Sequence, residues 1–437
     1  MQNKHFFAVS VIITVTIIAS IFAYPIVYSI SNGITIKSSG QIICPNITAK
    51  SGSSKDIQAA VDYLSENWGV GNVSIPAGTF NFVEIGETWQ TVVVPCGINI
   101  IGSETQKDSN GQVIEWRTVL NMPFEAPQNS VWFKFVIDET VQENSFRFSD
   151  IKLVGYRFYN INSRNMYTGI LVNSKYSNSP TAGLRDFRVD HCNFQDMGGS
   201  GISISFNDEY NRRKISGVID HNRFVNSYGD PGFMNYEQRT LGYAIGLRRW
   251  ACDVWEETSQ VWGQYTDYTV VIEDNYFSRW RHATCTNDGI HQIVRYNTFE
   301  YSYGHGTVDG HGSYREVGGN RWYAVGTRSM EVYENRFLNY DPTWNAPWVV
   351  NIRGGSALVY NNYLDGSYAY LLDLNNDWGN YDELSYCAIS DTYIWNNQLN
   401  GASIIHYNAN SVLNKDYFLN APTGYTPYTY PHPLTVN

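Results

Sequence analysis

The sequence predicts an all-β fold, a right-handed parallel β-helix, on three observations: a short word that recurs seven times, a second strand word after most copies, and end sequences suited to closing a solenoid. The word reads Val189-Asp-His-Cys-Asn-Phe194, Ile219-Asp-His-Asn-Arg-Phe224, Ile272-Glu-Asp-Asn-Tyr-Phe277 and Val294-Arg-Tyr-Asn-Thr-Phe299. It continues as Val332-Tyr-Glu-Asn-Arg-Phe337, Val359-Tyr-Asn-Asn-Tyr-Leu364 and Ile394-Trp-Asn-Asn-Gln-Leu399. Each copy has a β-branched residue five positions before its closing Phe or Leu, and all but the first have Asn two positions before it.

The β-branched residue suits a strand facing an apolar core, and the closing Phe or Leu returns to that core after a bend. Asn suits the bend because it tolerates a left-handed backbone, and stacked Asn amides can bond to the coils above and below. The second strand word appears as Gly201-Ile-Ser-Ile204, Ala244-Ile-Gly-Leu247, Thr307-Val-Asp309, Val349-Val-Asn-Ile352, Leu371-Leu-Asp-Leu374 and Ile404-Ile-His406. Two strand words per period with no helix between them describe coils. A β-propeller would need four strands per blade at steadier spacing, whereas these copies lie from 22 residues apart (Phe277 to Phe299) to 53 (Phe224 to Phe277). The longest interval reads as one coil carrying a long loop.

Solenoid ends expose unpaired strands and need caps. Ser53-Ser-Lys-Asp56 can start a helix with Ile57, Ala60, Val61 and Leu64 on one face, able to cover the first coil. At the other end Gly424 to Leu434 contains three prolines, which excludes helix or central strand and predicts an extended aromatic tail along the surface, serving as a cap in preference to a partner-binding segment.

The Asp56-Ile-Gln-Ala-Ala-Val61 helix, the Ile75-Pro-Ala-Gly-Thr-Phe80 turn and the Asn-x-Phe coils resemble the pectate-lyase-like superfamily over about residues 50 to 420. The resemblance implies the β-helix and leaves activity open among lyases, hydrolases, epimerases and phage or cell-surface adhesins.

Three regions follow: residues 1–30 as signal peptide or membrane anchor, 31–420 as the β-helix with its N-terminal cap, and 421–437 as the Pro/Tyr-rich tail. No charged residue occurs from Phe6 to Ile30, and Lys4 precedes that run. This predicts export, either secreted or anchored at the cell surface through an uncleaved segment. Six cysteines in an exported chain permit disulfides, with Cys44–Cys96 the favoured pair. A net charge of −11 without a Lys/Arg run excludes the electrostatics of nucleic-acid binding. With 16% charged and 15% aromatic residues, including 33 Tyr, the surface is neutral, wet and able to stack, which suits a long carbohydrate chain such as a polysaccharide.

Candidate chemistry centres on Tyr303-Gly-His-Gly-Thr-Val-Asp-Gly-His-Gly312. With Val308 inward, alternation places His305, Thr307, Asp309 and His311 outward, and the intervening glycines let a ligand approach the backbone. At the ~4.8 Å coil spacing, Arg281 and His282 precede Asp309, while Asn351, Arg353 and Asp373 follow it. Trp344, Trp348 and Trp378 add stacking surfaces. In β-elimination of an acidic glycan, Arg353 or Arg281 would neutralise the uronate carboxylate and His311 or His305 would remove the α-proton, with Asp309 orienting a His or binding Ca²⁺. In glycoside hydrolysis, Asp309 and Asp373 would lie roughly 9.6 Å apart, at the edge of the inverting range. The structural alternatives are an Asp309–His311 bond that fixes a turn, a stacked His191–His221 surface pair, and a buried thiol at Cys192. A non-catalytic glycan-binding or envelope protein is the competing function.

Overall fold

Backbone pairing between successive turns of a solenoid requires parallel strands and apolar positions in register, and the chain meets both requirements. The computed structural model describes residues 45–437 except 110, 128, 142, 157–166, 174–181, 207–213, 228–241, 250–260, 289, 303–305, 312, 318–320, 326, 342–347, 375–388, 409–410 and 437. Before residue 45 it describes three short strands, Tyr28–Ser29, Thr35–Ile36 and Ile42–Ile43, which form an antiparallel sheet in a separate unit, Met1–Cys44. Residues 6–27 of the uncharged run lie outside the described residues. Among those described, no helix is long and apolar enough to cross a membrane.

The unit Pro45–Asn437 is a parallel β-helix of three sheets, with 13, 9 and 10 strands among the described residues. Its winding is the right-handed one that twisted L-residue strands favour. Each coil passes from the 13-stranded sheet through the Asn bend to the 9-stranded sheet, then to the 10-stranded sheet. Ile219, Ile272, Val294 and Val332 are in register on the first, and Phe194, Phe224, Phe277, Phe299 and Phe337 on the second. The Phe rings stack with centroids 4.8–4.9 Å apart, so side chains follow the coil spacing. Phe224 and Phe277 are direct neighbours, which makes the 53-residue interval one coil.

The Asn bend forms a buried ladder. The amide Nδ2 of Asn222 donates to Asn275 Oδ1, Asn275 to Asn297, Asn297 to Asn335, Asn335 to Asn362 and Asn362 to Asn397, all at 3.0–3.1 Å. Each Oδ1 also accepts a backbone N–H from the preceding coil, as Asn297 Oδ1 does from Asn275 at 3.0 Å. One expectation is corrected: the left-handed residue is the one before the Asn, at His191, His221, Asp274, Tyr296, Glu334, Asn361 and Asn396, with φ of 51–57°. The Asn turns inward to bond, and the strained residue beside it points outward. His191 and His221 occupy such positions and stack at 5.1 Å, as a surface pair should. Cys192, first in the column, is buried, with its thiol raised well above its ordinary range by burial.

The N-terminal helix Ser54–Asn67 is capped by Ser53, whose Oγ accepts from the Asp56 N–H at 3.2 Å, and it buries Ile57, Ala60, Val61 and Leu64. Cys96 is a buried thiol pushed up to about 12 by burial, and Cys44, its expected bridge partner, lies outside the described residues.

The C-terminal tail is extended but runs back along the side of the solenoid. Tyr425 reaches Tyr360 and Glu331, Tyr430 reaches Asp274, and Leu434 reaches Arg188, so the tail crosses six successive strands of the 13-stranded sheet. An outward apolar cluster including Val218, Val271, Ile293 and Leu358 lies beneath it. The expected role as an end cap is therefore replaced by that of a side cover.

Replacing Asn297 by Ala removes a buried donor–acceptor from the middle of the ladder and leaves the Asn275 N–H without its partner. The expected loss is about 2–4 kcal/mol in urea denaturation. A loss below about 0.5 kcal/mol would show that the ladder does not hold the coils.

Candidate functional site

The three bends of each coil differ in length. The Asn bend is short in all seven copies, and the connections from Val225 to Tyr243, Arg249 to Thr269 and Leu374 to Thr392 all enter or leave strands of the 10-stranded sheet, while the long connection from Ile101 to Thr118, ahead of the first copy, joins the other two sheets. Insertions in a solenoid map to loops on one face, which is why the 10-stranded sheet is the candidate face. The strand Val308–His311 belongs to this sheet, between His282–Asp288 and Trp348–Ile352.

Its alternation is broken in a regular way. Two successive residues face inward where each strand leaves the bend: Ala244–Ile245, Ala283–Thr284, Thr307–Val308, Val349–Val350 and Leu371–Leu372. Thr307 is thus an interior residue, not an outward one. Gly310 also faces inward, where an added Cβ would lie 2.2 Å from Met330 Sδ. Close core packing, not ligand approach, explains that glycine.

The outward residues form columns. One contains Gly246, Cys285, Asp309, Asn351 and Asp373; another brings His311 beside Arg353; a third contains Tyr243 and His282, with Trp348 beside Tyr370. Asp309 therefore pairs with Cys285, and Asp373 lies two coils beyond it, as the spacing predicted.

Asp309 is fully buried and is the centre of the cluster. Asn351 Nδ2 donates to its Oδ1 at 2.8 Å, and Cys285 Sγ donates to its Oδ2 at 3.5 Å. Arg353 Nε lies 3.7 Å away and His282 Nε2 4.0 Å away. Burial alone would raise the Asp309 carboxyl, but the facing His282, Arg353 and His311 more than offset it and hold the group below its usual range. Of these three, Arg353 is cationic at any relevant pH. It also donates from Nη1 to His311 Nε2 at 2.9 Å, so Asp309 and His311 are joined through Arg353 and not by the direct bond weighed from sequence.

His282 is buried and donates from Nδ1 to Gly306 O at 2.6 Å, which leaves Nε2 bare and facing Asp309. Burial pushes its pKa down to about 4. Tyr243 lies beside its ring at 5.4 Å. Asp373 is nearly buried, 3.3 Å from His406 Nδ1, and Trp348 stacks on the same His406 ring at 4.6 Å. Arg281 is half-buried at the start of the strand. His305, Trp344 and Trp378 lie outside the described residues.

Asp309, Asn351, Arg353, His311 and His282 are thus brought together, and Asp373 and Trp348 form a second group around His406. Sequence reasoning missed Cys285, Tyr243 and His406. The paired inward residues, visible as Ala283–Thr284 and Val349–Val350, were the signal that would have set the register. Among the described residues, no group of three or more His, Cys, Asp or Glu is arranged to hold a metal ion. Asp309, which the sequence offers as a group that orients a His or binds Ca²⁺, is hydrogen-bonded on both oxygens.

No family of known proteins and no curated protein matches the sequence. Among solved structures, the tailspike protein of E. coli bacteriophage HK620 in complex with pentasaccharide is similar at 16% identity and a TM-score of 0.48, over 89% of this chain and 63% of that one. The Streptococcus pneumoniae surface protein and adhesin PfbA is similar at 11% identity and a TM-score of 0.42, over 86% of this chain and 99% of that one. The catalytic unit of the GH87 alpha-1,3-glucanase from Streptomyces thermodiastaticus is similar at 11% identity and a TM-score of 0.38, over 89% and 70%. This chain spans under two thirds of the tailspike's length.

The neutral state of His282 couples the cluster to pH. Its folded pKa, about 4, lies below the ordinary 6.5, so its contribution to stability is full above pH 6.5, falls as the pH drops toward 4, and levels off below. Over that range the change is about 3 kcal/mol. His282→Gln, which can still donate to Gly306 O, should flatten stability against pH between 6.5 and 4. An unchanged slope would refute the assignment.

Proposed function

We propose that this is an exported, carbohydrate-active β-helix protein whose 10-stranded face holds an acidic glycan, with β-elimination at a uronate as its reaction. The observation that carries the reading is the Asp309–Arg353–His311 chain: a buried carboxylate 3.7 Å from an arginine that is itself 2.9 Å from a part-exposed histidine. Asp309 positions the guanidinium, and 17% of the Arg353 side chain surface stays accessible.

The mechanism follows from what each group can do. A uronate carboxylate that draws the Arg353 N–H groups to itself releases His311 Nε2 from its hydrogen bond. The carboxylate's negative charge is neutralised at the same time, which acidifies the α-proton. His311 then takes that proton, the C–H electron pair becomes the new C=C bond, and the β C–O bond breaks, its oxygen taking a proton from water to leave as a hydroxyl while the hydroxide formed takes the proton back from His311. Hydrolysis fits less well. It needs a protonated carboxyl as general acid, and Asp309 is held ionised.

Binding without turnover is the second reading, and one feature favours it: Asp309, Asn351 and His282 are enclosed, and the His311 lone pair is occupied by Arg353. The N-terminal uncharged run supports action outside the cytoplasm, as a secreted or surface-anchored protein.

The test is incubation of the protein with pectin, alginate and glycosaminoglycans, with and without Ca²⁺, following ultraviolet absorbance of the unsaturated product. Absorbance should rise on one polymer, and His311→Gln should slow the rise by about 100-fold or more. Arg353→Lys should also slow it, because a point charge cannot replace the planar fork. Retention on an immobilised polymer with no absorbance change would select the binding reading, and neither signal on any polymer would refute both.

A further inference from the structure

The outer face of the 13-stranded sheet is built to hold an extended peptide. Arg295 is fixed by Glu273 through bonds of 2.8 and 2.6 Å, and Arg188 by Asp220 through bonds of 3.0 and 2.8 Å. Both pairs lie within the sheet, between directly paired strands, so each guanidinium is oriented by a carboxylate of the solenoid itself. Their remaining N–H groups meet main-chain oxygens: Arg295 donates to Tyr428 O at 2.6 Å and Thr429 O at 2.8 Å, and Arg188 to Leu434 O at 2.8 Å. Glu273 Oε1 accepts the His432 N–H at 2.8 Å.

These are contacts to a peptide backbone by pre-oriented side chains. Tyrosine hydroxyls supply the sequence preference. Tyr425 donates to Glu331 at 2.5 Å and Tyr430 to Asp274 at 2.9 Å. Among the described residues the tail forms no strand with the sheet it crosses, so no ladder ties it down. The connection from the last coil, Asn420–Gly424, is largely exposed. Beneath the tail, Val218, Val271, Ile293 and Leu358 form an apolar patch that water would meet if the face were empty.

We propose that this face is a receptor for an extended Tyr/Pro-bearing peptide, that residues 425–435 are its resident ligand, and that the same segment of a second copy can take their place. Every contact above is made by groups that do not depend on the covalent link through Gly424. The resident tail is the default occupant because a short linker keeps it at an effective concentration of order mM. When two copies exchange tails, the two contacts are identical and the pair is closed.

The experiment uses the full chain with a specific protease site placed in the exposed Ala421–Gly424 segment. The folded protein is cut, passed over a sizing column, and titrated with a fluorescent peptide of residues 425–437. The severed tail should stay with the body and be displaced saturably by the labelled peptide. Tyr425→Phe and Tyr430→Phe in the peptide, which leave the body untouched, should together weaken binding by about tenfold. Three results would overturn the proposal: the tail leaves a still-folded body and labelled peptide does not bind; the body unfolds on cutting; or a scrambled peptide binds equally well.

Discussion

The buried asparagine ladder is the interaction on which the rest of the structure depends. A coil can change sheet within a few residues only if the polar groups freed at the bend are satisfied inside the protein, where an unpaired donor costs about 1–3 kcal/mol. Asn meets this demand because its short side chain carries a donor and an acceptor on one carbon. At Asn275 and Asn297 the amide bonds the next amide, the backbone carbonyl two residues before it and a carbonyl one coil back. Once this edge is fixed, the Phe column and the β-branched column fall into register, and from residue 189 onward the long connections lie at the bends flanking the 10-stranded sheet.

The two large outer faces solve different problems. On the 13-stranded face, charges are buried in pairs. Arg295 and Glu273 are wholly enclosed, a state whose desolvation cost is offset when the remaining hydrogen bonds are also made. The tail makes them, through Tyr428 O and Thr429 O on the arginine and the His432 N–H on the glutamate. That face is therefore closed to a long ligand while the tail is in place. On the 10-stranded face the polar groups are different in kind: a carboxylate, two imidazoles, a thiol, an amide and one guanidinium around Asp309.

Within that cluster, position decides role. Asp309 is the most central group and the least accessible, which suits it to orienting Arg353 and not to meeting a substrate atom. His282 is kept neutral by burial, while His311, at the end of the same strand as Asp309, retains access to solvent. The two histidines thus differ in access: His311 lies at the margin of the cluster and His282 is enclosed within it.

The sequence by itself determined the coil, its bend and its N-terminal cap. Each is a local pattern: Val or Ile five residues before Phe, Asn two before it, Ser53 three before Asp56 at the helix start. Such patterns act through backbone geometry and short-range hydrogen bonds, so they survive without knowledge of neighbours. The tertiary structure decided the facing of residues near a corner, where alternation fails: Thr307 and Gly310 turn inward and Cys285 becomes the partner of Asp309. It also decided where the tail lies, because its carbonyls are held by Arg188 and Arg295, which are far away in sequence and are brought into line by stacking of the coils. Contacts of that kind depend on how many residues each coil inserts between its strands, and no local pattern records that number.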